Sequence, residues 1–124
     1  MTEVTKVKKA LVIEDDSHVA YTLKSILEDQ GFTVTHAKNG QQGIDEAKKD
    51  KKIDIIFCDI IMPEKDGIAV INEIRSFNKN AYIIAVSGGG RVDKKDYLTI
   101  AKNIGANNTL QKPFDFDDVI KVIR

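Results

Sequence analysis

Two short stretches of this chain end apolar sequence on bare carboxylates. LVIEDDSH (11–18) runs into Glu14, Asp15 and Asp16, and IDIIFCD (53–59) ends on Asp59. Two further polar groups stand at strand ends: Ser87 after the apolar run AYIIAV (81–86), and Lys112 after the short stretch NTLQ (108–111). Carboxylates brought within about 4 Å of one another repel by about 4 kcal/mol per pair at an effective dielectric of about 20, so they require a cation. Lys112 is one candidate. A hard divalent ion such as Mg²⁺ is the other, since it is held by one or two carboxylates with water and phosphate oxygens completing its shell. A carboxylate in such a setting can also act as a nucleophile and become an aspartyl phosphate. Mg²⁺, Lys112 and the Ser87 hydroxyl would then neutralise the oxygens of the transferred group.

The elements that must present these groups alternate along the chain. KALVIE (9–14) reads as strand 1, and Val19, Leu23, Ile26 and Leu27 then recur at helical spacing. Asp16 or Ser17 is the expected N-cap of that helix, with Gly31 past its end. FTVTHA (32–37) alternates as strand 2, and a thinly apolar helix carrying Ile44 and Ala47 follows over about Gln41 to Lys49. After strand 3 (53–59), Pro63 and Gly67 punctuate a loop. Ile68, Ile71 and Ile74 then mark helix 3, with Asp66 as a turn and N-cap residue. AYIIAV (81–86) is strand 4, and helix 4 is expected to bury a stripe of Tyr97, Ile100, Ala101 and Ile104. Strand 5 (108–111) leads through Lys112-Pro113 into a last helix with Val119, Ile120 and Ile123.

Five βα units with continuously apolar strands predict an α/β fold, a parallel sheet covered on both faces. Ligands of such open sheets bind beyond the carboxyl ends of the strands. Glu14, Asp15, Asp59, Ser87 and Lys112 all fall at that rim, and adjacency of strands 1 and 3 would bring the three acids together.

The whole chain of 124 residues fits one domain. Lys plus Arg and Asp plus Glu are equal at 19 each. No overall field therefore favours nucleic acid or a membrane surface. The N-terminus lacks a signal-peptide apolar region, no run approaches the ~18 apolar residues of a membrane span, and the single cysteine, Cys58, fits a reducing compartment. A cytoplasmic location is expected.

In these features the chain resembles the response-regulator receiver domain of two-component signalling over essentially its whole length. The features are Glu14-Asp15 after an apolar strand, Asp59-x-x-Met62-Pro63-x-x-Asp66-Gly67, Ser87, and Lys112-Pro113-Phe114. The resemblance implies a flavodoxin-like, doubly wound five-stranded sheet in the order 2-1-3-4-5. It implies Asp59 as phosphoacceptor, Glu14 and Asp15 as acids that bind Mg²⁺, and the backbone carbonyl of Ile61 as a further ligand. Ser87 becomes the switch hydroxyl and Lys112 the phosphate-sensing lysine. The implied partners are a sensor histidine kinase or histidine phosphotransferase and a downstream protein target. The protein would not be an enzyme beyond its own phosphotransfer and autodephosphorylation. The end of the sequence inside the last helix leads to the expectation of a receiver domain over 1–124 without an output domain.

Other readings fit less well. A phosphatase of the haloacid-dehalogenase type needs a second acid two residues beyond the nucleophile, and Ile61 stands there. A flavodoxin-like flavin binder needs a phosphate-cradling loop after strand 1, where Glu14-Asp15-Asp16 would repel the phosphate. The remaining rival is a receiver-shaped adaptor that works without phosphorylation, against which the intact acids, Ser87 and Lys112 argue. His18 and His36 have no metal-ligand spacing and read as incidental. Cys58 reads as core filling opposite Asp59. Lys48, Lys49, Lys51 and Lys52 read as a solvated helix end, and Ser87-Gly88-Gly89-Gly90 as a flexible loop carrying one functional hydroxyl.

Overall fold

The computed structural model describes residues 8–62, 66–88 and 94–123, with only the backbone described over 94–98. Pro63, Gly89, Gly90 and the side chain of Tyr97 lie outside the described residues. The strands are β1 (Lys8–Ile13), β2 (Phe32–Ala37), β3 (Ile55–Asp59), β4 (Tyr82–Gly88) and β5 (Asn108–Lys112). The helices are α1 (Ser17–Asp29), α2 (Gly40–Lys49), α3 (Gly67–Phe77), α4 (Lys94–Asn103) and α5 (Phe116–Ile123). All pairings are parallel and the strand order is β2-β1-β3-β4-β5, the doubly wound arrangement expected.

Strand alternation divides the core into two layers. Leu11, Ile13, Ile56, Cys58, Ile83 and Ala85 face one side, where Ile44 and Ala47 of α2 and Val70, Ile71 and Ile74 of α3 cover them. Ala10, Val12, Ile55, Phe57, Ile84, Val86 and Leu110 face the other, under Ala20, Leu23 and Leu27 of α1 and Val119 and Val122 of α5. Cys58 and Asp59 therefore project to opposite faces. Cys58 is fully buried, and burial pushes its thiol well above the usual range, so it packs as a small apolar group.

Local chemistry sets the helix starts. Asp16 caps α1, accepting from the amides of His18 at 2.9 Å and Val19 at 3.3 Å. Those two bonds hold the Asp16 carboxyl below its usual range. Asn39 caps α2, and Asp66 caps α3 through the amide of Ile68.

Several boundaries and faces differ from the sequence reading. β4 extends through Gly88 and β5 through Lys112, so Ser87, Gly88 and Lys112 are strand residues rather than loop residues. Their pairing continues because Ser87 lies opposite Gln111 and Gly88 opposite Lys112. Ile100, expected in the buried stripe of α4, is 46% exposed, while Ala101 is buried and Ile104 is half-buried. In α5 the buried positions are Val119 and Val122, with Ile120 and Ile123 at the margins. α4 packs on β4 and β5, and α5 packs on β5.

Candidate functional site

Four of the predicted site residues, the acids Glu14, Asp15 and Asp59 and the lysine Lys112, converge at the carboxyl rim of β1, β3 and β5. Glu14 follows β1 directly, its amide donating to Ala37 O at 3.0 Å as the last rung toward β2. Asp59 closes β3, opposite Val86 of β4. Glu14 is 1% exposed and Asp59 4%, whereas Asp15 lies at the surface. One carboxylate oxygen from each of the three lies within 4.8 Å of the others.

Lys112 answers part of that charge. Its ammonium stands 2.9 Å from Glu14 Oε1 and 3.1 Å from Asp59 Oδ2. To get there its stem crosses Gly88 on the adjacent strand. A Cβ built on Gly88 would sit 2.5 Å from Lys112 Cβ and 2.6 Å from its Cδ. The missing side chain is therefore what lets the lysine lie flat across β4. A second glycine performs a similar service at the acceptor strand. A Cβ on Gly67 would stand 2.1 Å from the Asp59 carbonyl oxygen, and the Gly67 amide donates to Ile60 O at 3.1 Å. The start of α3 thus packs directly on the backbone that carries Asp59.

The other contacts orient the acids. Asp59 Oδ1 accepts from the Ile61 amide at 3.0 Å, and Glu14 Oε2 accepts from the Asp16 amide at 3.1 Å. Burial pushes the Glu14 carboxyl up to about 7; Lys112 opposes that shift and the Asp59 charge adds to it. Burial alone would lower the Lys112 ammonium, but Glu14 and Asp59 outweigh it and hold it above its usual value. Ser87 is buried one residue beyond Val86, and alternation groups it with Ile83 and Ala85 on the α2–α3 side of the sheet. Ile61 exposes its side chain beside the acceptor.

A hard cation fits this donor set. All three acids supply carboxylate oxygens, the donors such ions take. Among the described residues one ammonium offsets three carboxylates. The buried Glu14 Oε1 meets only the Lys112 ammonium among the described residues, at 2.9 Å. That ammonium is shared with Asp59, so a second cation would complete the neutralisation of the cluster.

His36 is the residue the sequence reading missed. Its Nε2 lies 2.8 Å from the Glu14 carbonyl oxygen, so it is not incidental. His18 lines an open, largely apolar groove of about 480 Å³ with Val19, Thr22, Pro113 and Phe114, next to Lys112.

Residues 10–124 match the family model of the response regulator receiver domain. The chain belongs to the response-regulator receiver family. It is 34% identical to chemotaxis protein CheY of Bacillus subtilis (strain 168), over 93% of each chain. It is 31% identical to transcriptional regulatory protein CpxR of Escherichia coli (strain K12), over 94% of this chain and 47% of the relative. The chain thus spans about half the length of CpxR. A response regulator from Burkholderia pseudomallei, solved with a phosphorylated aspartic acid and a calcium ion, superposes with a TM-score of 0.83 at 26% identity, covering 94% of this chain and 66% of that one. Membership of this family is consistent with a phosphoacceptor function in two-component signalling, and the phosphorylation-independent adaptor reading is not favoured. No helix among the described residues is long and apolar enough to cross a membrane.

Proposed function

We propose that Asp59 accepts a phosphoryl group from the phosphohistidine of a sensor kinase or phosphotransferase, in a Mg²⁺-dependent reaction in the cytoplasm, and that the modified domain changes its affinity for a downstream protein. The observation that carries this reading is the buried Asp59 carboxylate, held by Lys112 and the Ile61 amide beside two further acids. In the reaction an Asp59 oxygen attacks phosphorus as the P–N bond to the donor imidazole breaks; the electron pair leaves with the imidazole nitrogen. Glu14, Asp15, Asp59 and the Ile61 carbonyl would hold Mg²⁺, which when bound supplies positive charge to the phosphoryl oxygens.

The chain's own groups do the rest. Lys112 occupies Asp59 Oδ2 before reaction, so it shields the nucleophile and must transfer its contact to the incoming phosphoryl oxygen. The Ile61 amide fixes the other oxygen and so orients the carboxylate. Ser87 would supply a hydroxyl to the phosphoryl group after a local shift of β4. The groove between α1 and the Pro113-Phe114 turn offers an apolar wall beside Lys112, suited to an apolar helix end of the donor. The aspartyl phosphate of the Burkholderia pseudomallei neighbour supports the assignment by analogy. The residues serve only their own transfer and hydrolysis, so the domain is proposed to be a switch and not an enzyme acting on a separate substrate.

Intact-mass spectrometry after treatment with a small acyl phosphate tests this. One added phosphoryl group in the presence of Mg²⁺, absent with chelator and absent in Asp59→Asn, is the expected result. Equal labelling of Asp59→Asn would sink the assignment.

A further inference from the structure

We propose that His36 is a positioning residue for the acidic cluster, acting through the peptide that joins Glu14 to Asp15; the proposal rests on the metal-binding reading of those acids. The β1–β2 ladder pairs Val12 with His36 and Ile13 with Ala37, and closes with the Glu14 amide on Ala37 O. Beyond Ala37 the chain turns toward α2, whose cap is Asn39, so no ladder amide follows to meet the next carbonyl of β1. That carbonyl belongs to Glu14. The His36 ring meets it at 2.8 Å. A carbonyl oxygen only accepts, so His36 carries its proton on Nε2 and donates it there. Glu14 is then held at both ends, by the ring on its carbonyl and by the Asp16 amide on Oε2.

The consequence falls on Asp15. Its carboxylate is exposed, yet it lies within 4.8 Å of buried oxygens of Glu14 and Asp59. What orients it is the preceding peptide plane, and His36 fixes that plane. Groups that orient metal ligands from behind characteristically carry about 10- to 100-fold in metal affinity. Being one bond removed from a ligand side chain, His36 is expected at the low end of that range.

The test uses the whole chain and titrates Mg²⁺ by calorimetry. His36→Phe should lose about tenfold in Mg²⁺ affinity, because it keeps a ring and loses the donor. His36→Gln, which presents an amide N–H at similar reach, should stay within about twofold of wild type. Without metal, the amides of Asp15 and Asp16 should exchange faster in His36→Phe and at the wild-type rate in His36→Gln. Asp15→Ala judges the metal reading separately. Equal Mg²⁺ binding by wild type and Asp15→Ala overturns that reading and this proposal with it. Loss in Asp15→Ala with wild-type affinity in His36→Phe overturns the proposal alone, as does equal loss in His36→Gln and His36→Phe. Should His36→Phe fail to fold, the ring nitrogens of the ¹⁵N-labelled wild type decide: a proton on Nε2 supports the bond, and a bare Nε2 overturns it.

Discussion

Lys112→Met removes the cation that, among the described residues, meets both buried acids, while keeping the length of the apolar stem. In the native protein the ammonium contacts Glu14 Oε1 at 2.9 Å and Asp59 Oδ2 at 3.1 Å, with the lysine side chain 22% exposed and the acids 2% and 5%. Breaking a fully buried pair costs about 3–5 kcal/mol, and water reaching the lysine reduces this to about 2–3 kcal/mol near pH 8. The cost depends on pH through Glu14. Burial raises its folded-state carboxyl to about 7 from an ordinary 4.5, so it favours the folded state fully below about 4.5, and that contribution is lost as pH rises through about 7. Lys112 opposes the shift, so its removal moves Glu14 higher still. Near pH 5 Glu14 is protonated with or without Lys112, and only the contact to Asp59 is lost, about 1 kcal/mol. Urea unfolding of both proteins near pH 5 and pH 8 should therefore show the deficit growing with pH. Mg²⁺, which binds only the folded state, should reduce it. An equal deficit at both pH values, or none, would refute the electrostatic account of the rim.

Three further outcomes follow from the same geometry. Gly88→Ala forces the Lys112 stem off β4 and should cost about 1–3 kcal/mol in urea unfolding while slowing acyl-phosphate labelling; wild-type values for both would show that the lysine does not need the space. Mg²⁺ affinity measured by calorimetry should rise with pH and level off above about 7, because Glu14 must lose its proton to bind metal; a flat profile contradicts Glu14 as a ligand. Ile61→Asn places a side chain able to hydrogen-bond water at an exposed position two residues from the acceptor, and should shorten the phosphoryl half-life followed by intact mass. An unchanged half-life would remove Ile61 from the control of hydrolysis.

Much of this was legible in the sequence because the signals are local. Apolar runs ending on Asp59 and Glu14 locate the rim, and Asp16 and Asp66 read as caps because a capping carboxylate needs only the next two or three amides. Features that depend on register were not legible. His36 has no ligand-like neighbours in sequence and acquires its role only because β1–β2 pairing sets it opposite Val12, within reach of Glu14 O. Gly88 reads as one of three loop glycines, yet it is a strand residue whose missing side chain accommodates Lys112 from another strand. Ile100 satisfies helical spacing, but α4 covers the end of the sheet, and an apolar residue on its flank stays in water. Periodicity reports which face is apolar, and the width of the surface beneath decides how much of it is buried.

The most direct test of the central claim is to locate the phosphoryl group itself. Borohydride reduction of the acyl phosphate, formed with Mg²⁺ and a small phosphodonor, followed by peptide mapping, converts the modified aspartate to homoserine. The account predicts homoserine at position 59 alone, and none when Mg²⁺ is withheld. Homoserine at position 15 or 16, or labelling at 59 that ignores Mg²⁺, would contradict it.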